Sequence, residues 1–271
     1  MEPIKQEIGA MKVTDKKRHS KTTAASLKSD SATPCQFFSK DGQKIDPIQS
    51  EDLQTILNGS NLQLTKVIEA SALSMAMVTR YALGASAING NIIGLVTNTL
   101  SGAICVATLR HLINSGAKID CYIFSDSIDG LVQNEIDLLA QSPVSISYNT
   151  PDEETLSSAH TIISGIFEAS DLDSHKFNQL AEAINNSTVP VQSILAPCCS
   201  KQTTPIYAAS TLFLGLPITF PNIDLDLLGR TYLCDISLSP KQYSAYGLNS
   251  SALFSEQPVI KLHHTNVVDG V

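Results

Sequence analysis

The turn Asn98-Thr99-Leu100-Ser101-Gly102-Ala103 is where this sequence comes nearest to chemistry. It follows an apolar run, Asn91 to Thr97, and precedes the apolar helical pattern Ile104 to Asn114, so its small residues stand at the mouth of a helix. Backbone N–H groups in that position can receive an anion, which makes Asn98, Ser101, Gly102 and Ala103 a candidate ligand or anion site. The turn is not a G-x-G-x-x-G fingerprint, and no Gly-Lys-Ser/Thr follows, so neither of the common nucleotide-binding motifs is present. Asp235, at the end of a later strand, is the acid placed to orient that turn or a residual ligand. Cys198-Cys199 also follows a strand, but no histidine is placed by sequence to activate a nucleophile there, so a buried or idle thiol is expected. His111 falls on the helix beside Ala107 and Thr108 and is expected to be structural. His263-His264 has no acidic or cysteine neighbour, so no metal site is expected. No catalytic residue is assigned.

The elements that must position this turn alternate regularly. Asn91–Thr97 reads as a buried parallel strand, Ile104 to Asn114 as helix, and Lys118–Phe124 as the next strand, one βαβ unit. Before it, Ser50 is expected to cap a short helix ending at Asn58-Gly59. A longer helix over Leu62 to Leu83 carries Leu64, Val67, Ile68, Met75 and Val78 at helical spacing. That stripe is expected to be core, and it is also the candidate interface with a second copy of the chain. After the unit come helix over Val132 to Gln141, strand over Val144 to Tyr148, a helix start at Pro151, and strand over Thr161 to Phe167. Helix over Lys176 to Asn185 and strands over Val189 to Leu195, Ser210 to Leu216 and Thr231 to Ile236 follow. Pro258–Leu262 is expected as an edge strand, with its proline in first place. The fold class is therefore α/β: a Rossmann-like three-layer sandwich, a mostly parallel sheet with helices on both faces.

Composition bounds the function. The chain has 271 residues, 43% of them apolar, enough for a sizeable core, and contains no Trp. Residues 1–34 lack any apolar periodicity and are expected to be a disordered tail, 35–265 one domain, and 266–271 a short C-terminal tail. No stretch resembles a signal peptide or a membrane span, so no membrane partner is expected. Six cysteines without metal-type spacing suit reduced, buried thiols and a cytoplasmic location. Residues 1–30 hold seven Lys/Arg against four Asp/Glu, whereas the remainder holds eleven against twenty-two. A folded part so acidic is a poor general binder of phosphate backbones.

Arg110-His111-Leu112 on the helix after the turn resembles the YjeF N-terminal domain family, whose enzymes are NAD(P)HX epimerases. In those enzymes an Asn-Asn-Gly-Gly-Asp-Gly turn precedes a helix with a similar Arg-His-Leu. Counted back from Arg110, it falls on Leu100–Cys105, where Gly102 alone persists and the acid is Ile104. Leu214-Gly215-Leu216-Pro217 and Gly229–Ile236 resemble the closing strands, closest to the branch of the family found in enhancer-of-mRNA-decapping scaffolds. The Cys35 to Leu57 entry and the Gln242 to Leu262 tail are similar to that branch too. The family's Asp-Ile-Pro-Ser-Gly segment falls on Leu195–Cys199, and its lysine after Gly-x-Pro falls on Ile218. The resemblance therefore implies a pseudoenzyme, with hydrocarbon at Ile104, Leu195 and Ile218 where a proton must be moved. Loss of that group removes about 10²–10⁴ in rate. It further implies a homodimeric scaffold in mRNA decapping and decay, located in cytoplasmic P-bodies, with decapping and P-body proteins as partners and RNA binding by the dimer. The Lsm domain and the Phe-Asp-Phe linker of the full-length scaffold have no counterpart in these residues. No cofactor is required on this reading, while residual NAD or other nucleotide binding by the turn's backbone donors stays open. The alternatives are a divergent NAD(P)HX epimerase, another nucleotide-metabolite enzyme, and a nucleotide sensor without chemistry.

Overall fold

The structure is a computed structural model. It describes residues 35–59, 62–84, 89–125, 127–167, 174–196, 204–219, 225–248 and 253–266. The tail over residues 1–34 and Cys198-Cys199 lie outside the described residues.

Ten strands form one sheet: β1 (Cys35–Phe38), β2 (Lys44–Ile45), β3 (Asn91–Val96), β4 (Lys118–Ile123), β5 (Ser145–Ser147), β6 (Thr161–Gly165), β7 (Val191–Ile194), β8 (Ser210–Leu214), β9 (Arg230–Cys234) and β10 (Val259–Asn266). Their order is β2-β1-β10-β9-β8-β7-β6-β3-β4-β5. Strands β3 to β9 are parallel; β10, β1 and β2 add three antiparallel strands beside β9. Strands β3, β6 and β8 are buried on both faces, as strands covered by helices on both sides must be.

Helices cover both sides. They are α1 (Ser50–Gly59), α2 (Leu64–Leu83), α3 (Leu100–Ile113), α4 (Gly130–Leu139), α5 (Glu153–Ser158), α6 (Ser174–Asn186) and α7 (Pro240–Ala245). On one face α2, α3 and α4 lie side by side with α3 in the middle, and their buried residues join those of β1, β8 and β9 in the larger core. On the other face Leu156 of α5 and Phe177, Leu180 and Ile184 of α6 close over Ile93, Leu95, Ile162 and Val191. The chain leaves β3 toward β4 and β5, then returns to β6 on the opposite side of β3. The carboxyl ends of β3 and β6 are therefore the topological switch point, where ligands bind in sheets of this kind.

Several local expectations shift. The cap of α1 is Gln49, whose carbonyl accepts from Asp52 and Leu53, while Asp52 Oδ2 accepts from the Gln49 N–H; Ser50 is already helical. Helix α3 begins at Leu100 rather than near Ile104, because the Thr99 side chain accepts from the Gly102 N–H. Strand β10 is not an edge: it runs on to Asn266 and pairs with both β9 and β1. Pro258 costs it nothing, since it precedes the ladder and offers only its carbonyl, to the Asp235 N–H. Val67, Ile68, Met75 and Val78 are at most 5% exposed, consumed by this chain's own core, and Leu64 is half-buried against it. Val67, Ile68, Met75 and Val78 therefore have no surface left to offer a second copy. The apolar side chains that α2 turns outward are Leu73, 46% exposed, and Tyr81, 37% exposed, with the partly exposed Met77 on the same stripe.

Charge ties the three helices of that face together. Arg110 on α3 bonds Glu69 of α2 and lies 3.2 Å from Glu135 Oε2 of α4, and His111 Nε2 lies 3.1 Å from Glu69 Oε2. The Arg80 guanidinium donates to the His111 carbonyl. Glu135 is buried, and burial raises its pKa above the ordinary carboxylate value while Arg110 pulls it back. Replacing Arg110 by Leu removes the opposing pull. Between the ordinary range and the raised value, the folded protein then holds a proton that the unfolded chain does not, so stability falls as pH rises. Urea denaturation of Arg110→Leu is expected to show a loss of about 1.5–3 kcal/mol at pH 7.5 and a smaller one at pH 5.

Candidate active-site cleft

At the switch point lies a cleft of about 470 Å³. Asn98 to Ser101 come to it from the β3–α3 turn, Phe167 from beyond β6, Leu195 from the end of β7, and Ile218 from beyond β8. The fold thus joins four segments far apart in sequence, and it unites Asn98, Ser101, Leu195 and Ile218 in one site. Ile104 does not join them; it is fully buried in the body of α3. Asp235 lies elsewhere too. It ends β9, four strands from β3 and therefore about 19 Å away at the usual strand spacing, and its Oδ1 accepts from the Ser237 N–H at 2.7 Å. It orients a local turn, not the turn at Gly102.

The cleft floor is hydrocarbon: Leu53 of α1, Leu64 of α2, Leu100, Leu131, Phe167, Leu195 and Ile218. Its lining includes the carboxylates Glu51 and Asp129, and no Lys, Arg or His among the described residues. Asp129 is the N-cap of α4, its Oδ1 accepting from Leu131 and Val132, and its own N–H donates to Asn98 Oδ1 at 2.9 Å. That bond fastens the β3 turn to the start of α4.

The expected anion cradle is not open. The Ser101 hydroxyl donates to the Gly165 carbonyl at 2.8 Å, and the Thr97 hydroxyl donates to the same oxygen at 3.0 Å. The Thr99 hydroxyl sits between them, 3.1 Å from Thr97 Oγ1 and 2.9 Å from Ser101 Oγ, and accepts from the Gly102 N–H. The Ala103 N–H donates to the Thr99 carbonyl. Ser101, Gly102 and Ala103 are buried, and the Gly102 and Ala103 N–H groups expected to meet a ligand are turned onto the protein itself. Asn98 alone of the four stays partly exposed.

Two glycines permit this closure. A Cβ at Gly102 would stand 1.9 Å from the Thr97 carbonyl oxygen, and one at Gly165 would stand 2.7 Å from the Ser101 carbonyl oxygen and 2.9 Å from the Gly102 Cα. Helix α3 therefore rests on the end of β6 at a distance only two glycines allow. Gly165, Thr97, Thr99 and Phe167 are site residues that sequence reasoning missed. A glycine closing a buried strand was the available signal for Gly165, and a threonine three residues before Gly102 was the signal for the cap.

Leu195 has φ of +70°, the left-handed region, which costs a branched residue of this kind roughly 1 kcal/mol or more. Its N–H donates to the Leu212 carbonyl at 2.8 Å, which helps to hold it there. Ile218 is held by a parallel bridge to Ile48, ahead of α1. Neither side chain can take or give a proton. The described cysteines offer no substitute: burial pushes Cys35 up to about 11 and Cys121 and Cys234 up to about 12, and raises Cys105 well above its ordinary value. No cluster of His, Cys, Asp or Glu among the described residues could hold a metal ion. His264 Nδ1 is within 3.2 Å of the Thr231 hydroxyl inside the sheet.

A doubly wound sheet with its cleft at the switch point defines a three-layer, Rossmann-like α/β domain. More narrowly, residues 64–217 match the model of the YjeF-related protein N-terminus family, and the chain belongs to that family. The crystal structure of yeast ynu0, YNL200c, is similar over 80% of this chain and 100% of that one, at 14% identity and a TM-score of 0.66. A tetrameric eIF2B-beta2-delta2 complex from C. thermophilum aligns with 80% of this chain and 56% of its own, at 13% identity and a TM-score of 0.35, too distant to argue from. No curated protein matches the sequence.

Gly102→Ala is expected to displace the start of α3 and to lower stability by about 1–3 kcal/mol, read as a shifted urea midpoint. An unchanged midpoint would contradict the close packing of the start of α3 on the Thr97 carbonyl.

Proposed function

We propose that this chain is a non-catalytic, self-associating scaffold domain acting in mRNA decapping and P-body assembly. The observation that carries the pseudoenzyme part is the pair Leu195 and Ile218, hydrocarbon in the cleft where the resemblance expects an acid and a lysine. A general acid or base needs a titratable head group within reach of the proton, and the described lining offers only Glu51 and Asp129, the latter engaged as a helix cap. The turned-in donors of Ser101 and Gly102 and the absence of a cation in that lining count against nucleotide phosphates as ligands.

The scaffold part rests on the resemblance to decapping enhancers and on two surface features. Leu73, Met77 and Tyr81 form an exposed apolar stripe on α2, the kind of face that a second copy covers. Beside it runs a groove of about 530 Å³ between α2 and β9–β10, lined in part by Tyr81, Arg230, Tyr232, Lys261 and His263. Cations interleaved with aromatic rings suit single-stranded RNA, which is bound by backbone charge and base stacking together. Decapping and P-body proteins are the partners, and the cytoplasm is the place of action. No described helix is long and apolar enough to cross a membrane.

Family membership alone favours the second reading, a divergent epimerase working with other groups. Light scattering tests the first. The 29.0 kDa chain is expected to scatter as a dimer, and Leu73→Asp with Tyr81→Asp to scatter as a folded monomer. A monomeric unmodified protein would overturn self-association.

A further inference from the structure

The cleft is apolar inside and acidic at its rim, the opposite of what a dinucleotide needs. Leu53, Leu64, Leu100, Leu131 and Phe167 offer aliphatic and aromatic surface, and Glu51 and Asp129 are both exposed. One Asp129 oxygen caps α4. A complementary occupant would present apolar side chains next to lysine or arginine.

This chain carries such a segment outside the described residues. Ile4, Ile8, Met11 and Val13 stand there among Lys5, Lys12 and the Lys16-Lys17-Arg18 cluster, five basic residues against the two acids Glu7 and Asp15, in a chain whose remainder is strongly acidic. The tether is long enough. Cys35 begins β1, which runs parallel to β9, so Cys35 lies at the amino ends of the parallel strands and the cleft at their carboxyl ends. Five strand spacings separate β1 from β6, about 24 Å, and a strand's length adds about 16–20 Å. The seventeen residues from Arg18 to Cys35 span up to about 55 Å when extended.

We infer that the basic N-terminal segment, residues 4–20, docks in the cleft of its own domain, its apolar side chains on the leucine floor and its cations against Glu51 and Asp129. The cleft then serves as a self-occupied peptide site that an outside basic, apolar peptide must win by competition. The inference is independent of the decapping assignment and of self-association through α2.

The test uses the full chain. A fluorescein-labelled peptide of residues 4–20 is titrated by anisotropy into the protein carrying Lys12→Glu, Lys16→Glu, Lys17→Glu and Arg18→Glu, which frees the cleft. Saturable binding is expected, weakened at least tenfold by adding Glu51→Gln and Asp129→Asn, substitutions that keep side chains able to accept at the α4 cap. The unmodified chain should bind the peptide several-fold more weakly than the arm-reversed chain, because its own segment competes. Absence of saturable binding to the arm-reversed chain, or binding indifferent to Glu51→Gln and Asp129→Asn, would overturn the inference. So would equal affinity for the arm-reversed and unmodified chains.

Discussion

Everything at the cleft depends on how closely α3 approaches the end of β6. With Gly102 against Gly165 there is no room for a side chain between helix and strand, and the hydroxyls of Thr97 and Ser101 donate to the Gly165 carbonyl with the Thr99 hydroxyl bridging them. A buried carbonyl left without a partner costs about 1–3 kcal/mol, so these bonds have a structural reason to persist. They also have a functional consequence. Helix mouths at a switch point are receptive to anions because their N–H groups are unspent, and here those of Gly102 and Ala103 are spent on Thr99. The same contact that fixes the central helix on the sheet removes the feature for which such sheets are most often used.

Two surfaces of opposite character follow from this arrangement. The cleft, relieved of phosphate recognition, is filled out with leucine, isoleucine and phenylalanine and edged by acids. The groove beside α2 carries Lys40, Arg230 and Lys261 together with Asp41 and Glu256, among tyrosines. In a chain with a net charge of −8, the described linings of the two differ in that one includes basic side chains and the other does not. The helix layer between them is fastened by the Glu69–Arg110–Glu135 cluster, which spans α2, α3 and α4. Arg110 and His111, the motif that points to the family, thus act in packing the helices and take no part in the cleft.

The strand and helix order was legible in the sequence, because the central parallel strands, buried on both faces, leave apolar runs separated by capped helices. The residues of the cleft were partly legible: Leu195 and Ile218 were recognised as hydrocarbon at positions where chemistry is expected, and both line it. What could not be read was anything set by long-range contact. Ser101 was expected to face a ligand because its partner, Gly165, lies 64 residues away. The stripe of Val67, Ile68, Met75 and Val78 was strong enough to hide a second one, Leu73, Met77 and Tyr81, and periodicity cannot say which of two faces meets the core. Asp235 was misjudged for the same reason, since strand order, not strand number, decides what an acid at a strand end can reach. Pro258 read as an edge signal because the antiparallel extension by β1 and β2 is invisible without the pairing.

The central proposal is that a cleft with Leu195 and Ile218 at the positions of an acid and a lysine moves no proton at a hydrated nicotinamide. The most direct measurement is the interconversion of R- and S-NADHX, followed by chromatography with purified protein and without it. The account predicts identical rates in the two samples at every protein concentration. A rate that climbs in proportion to the protein added would contradict it.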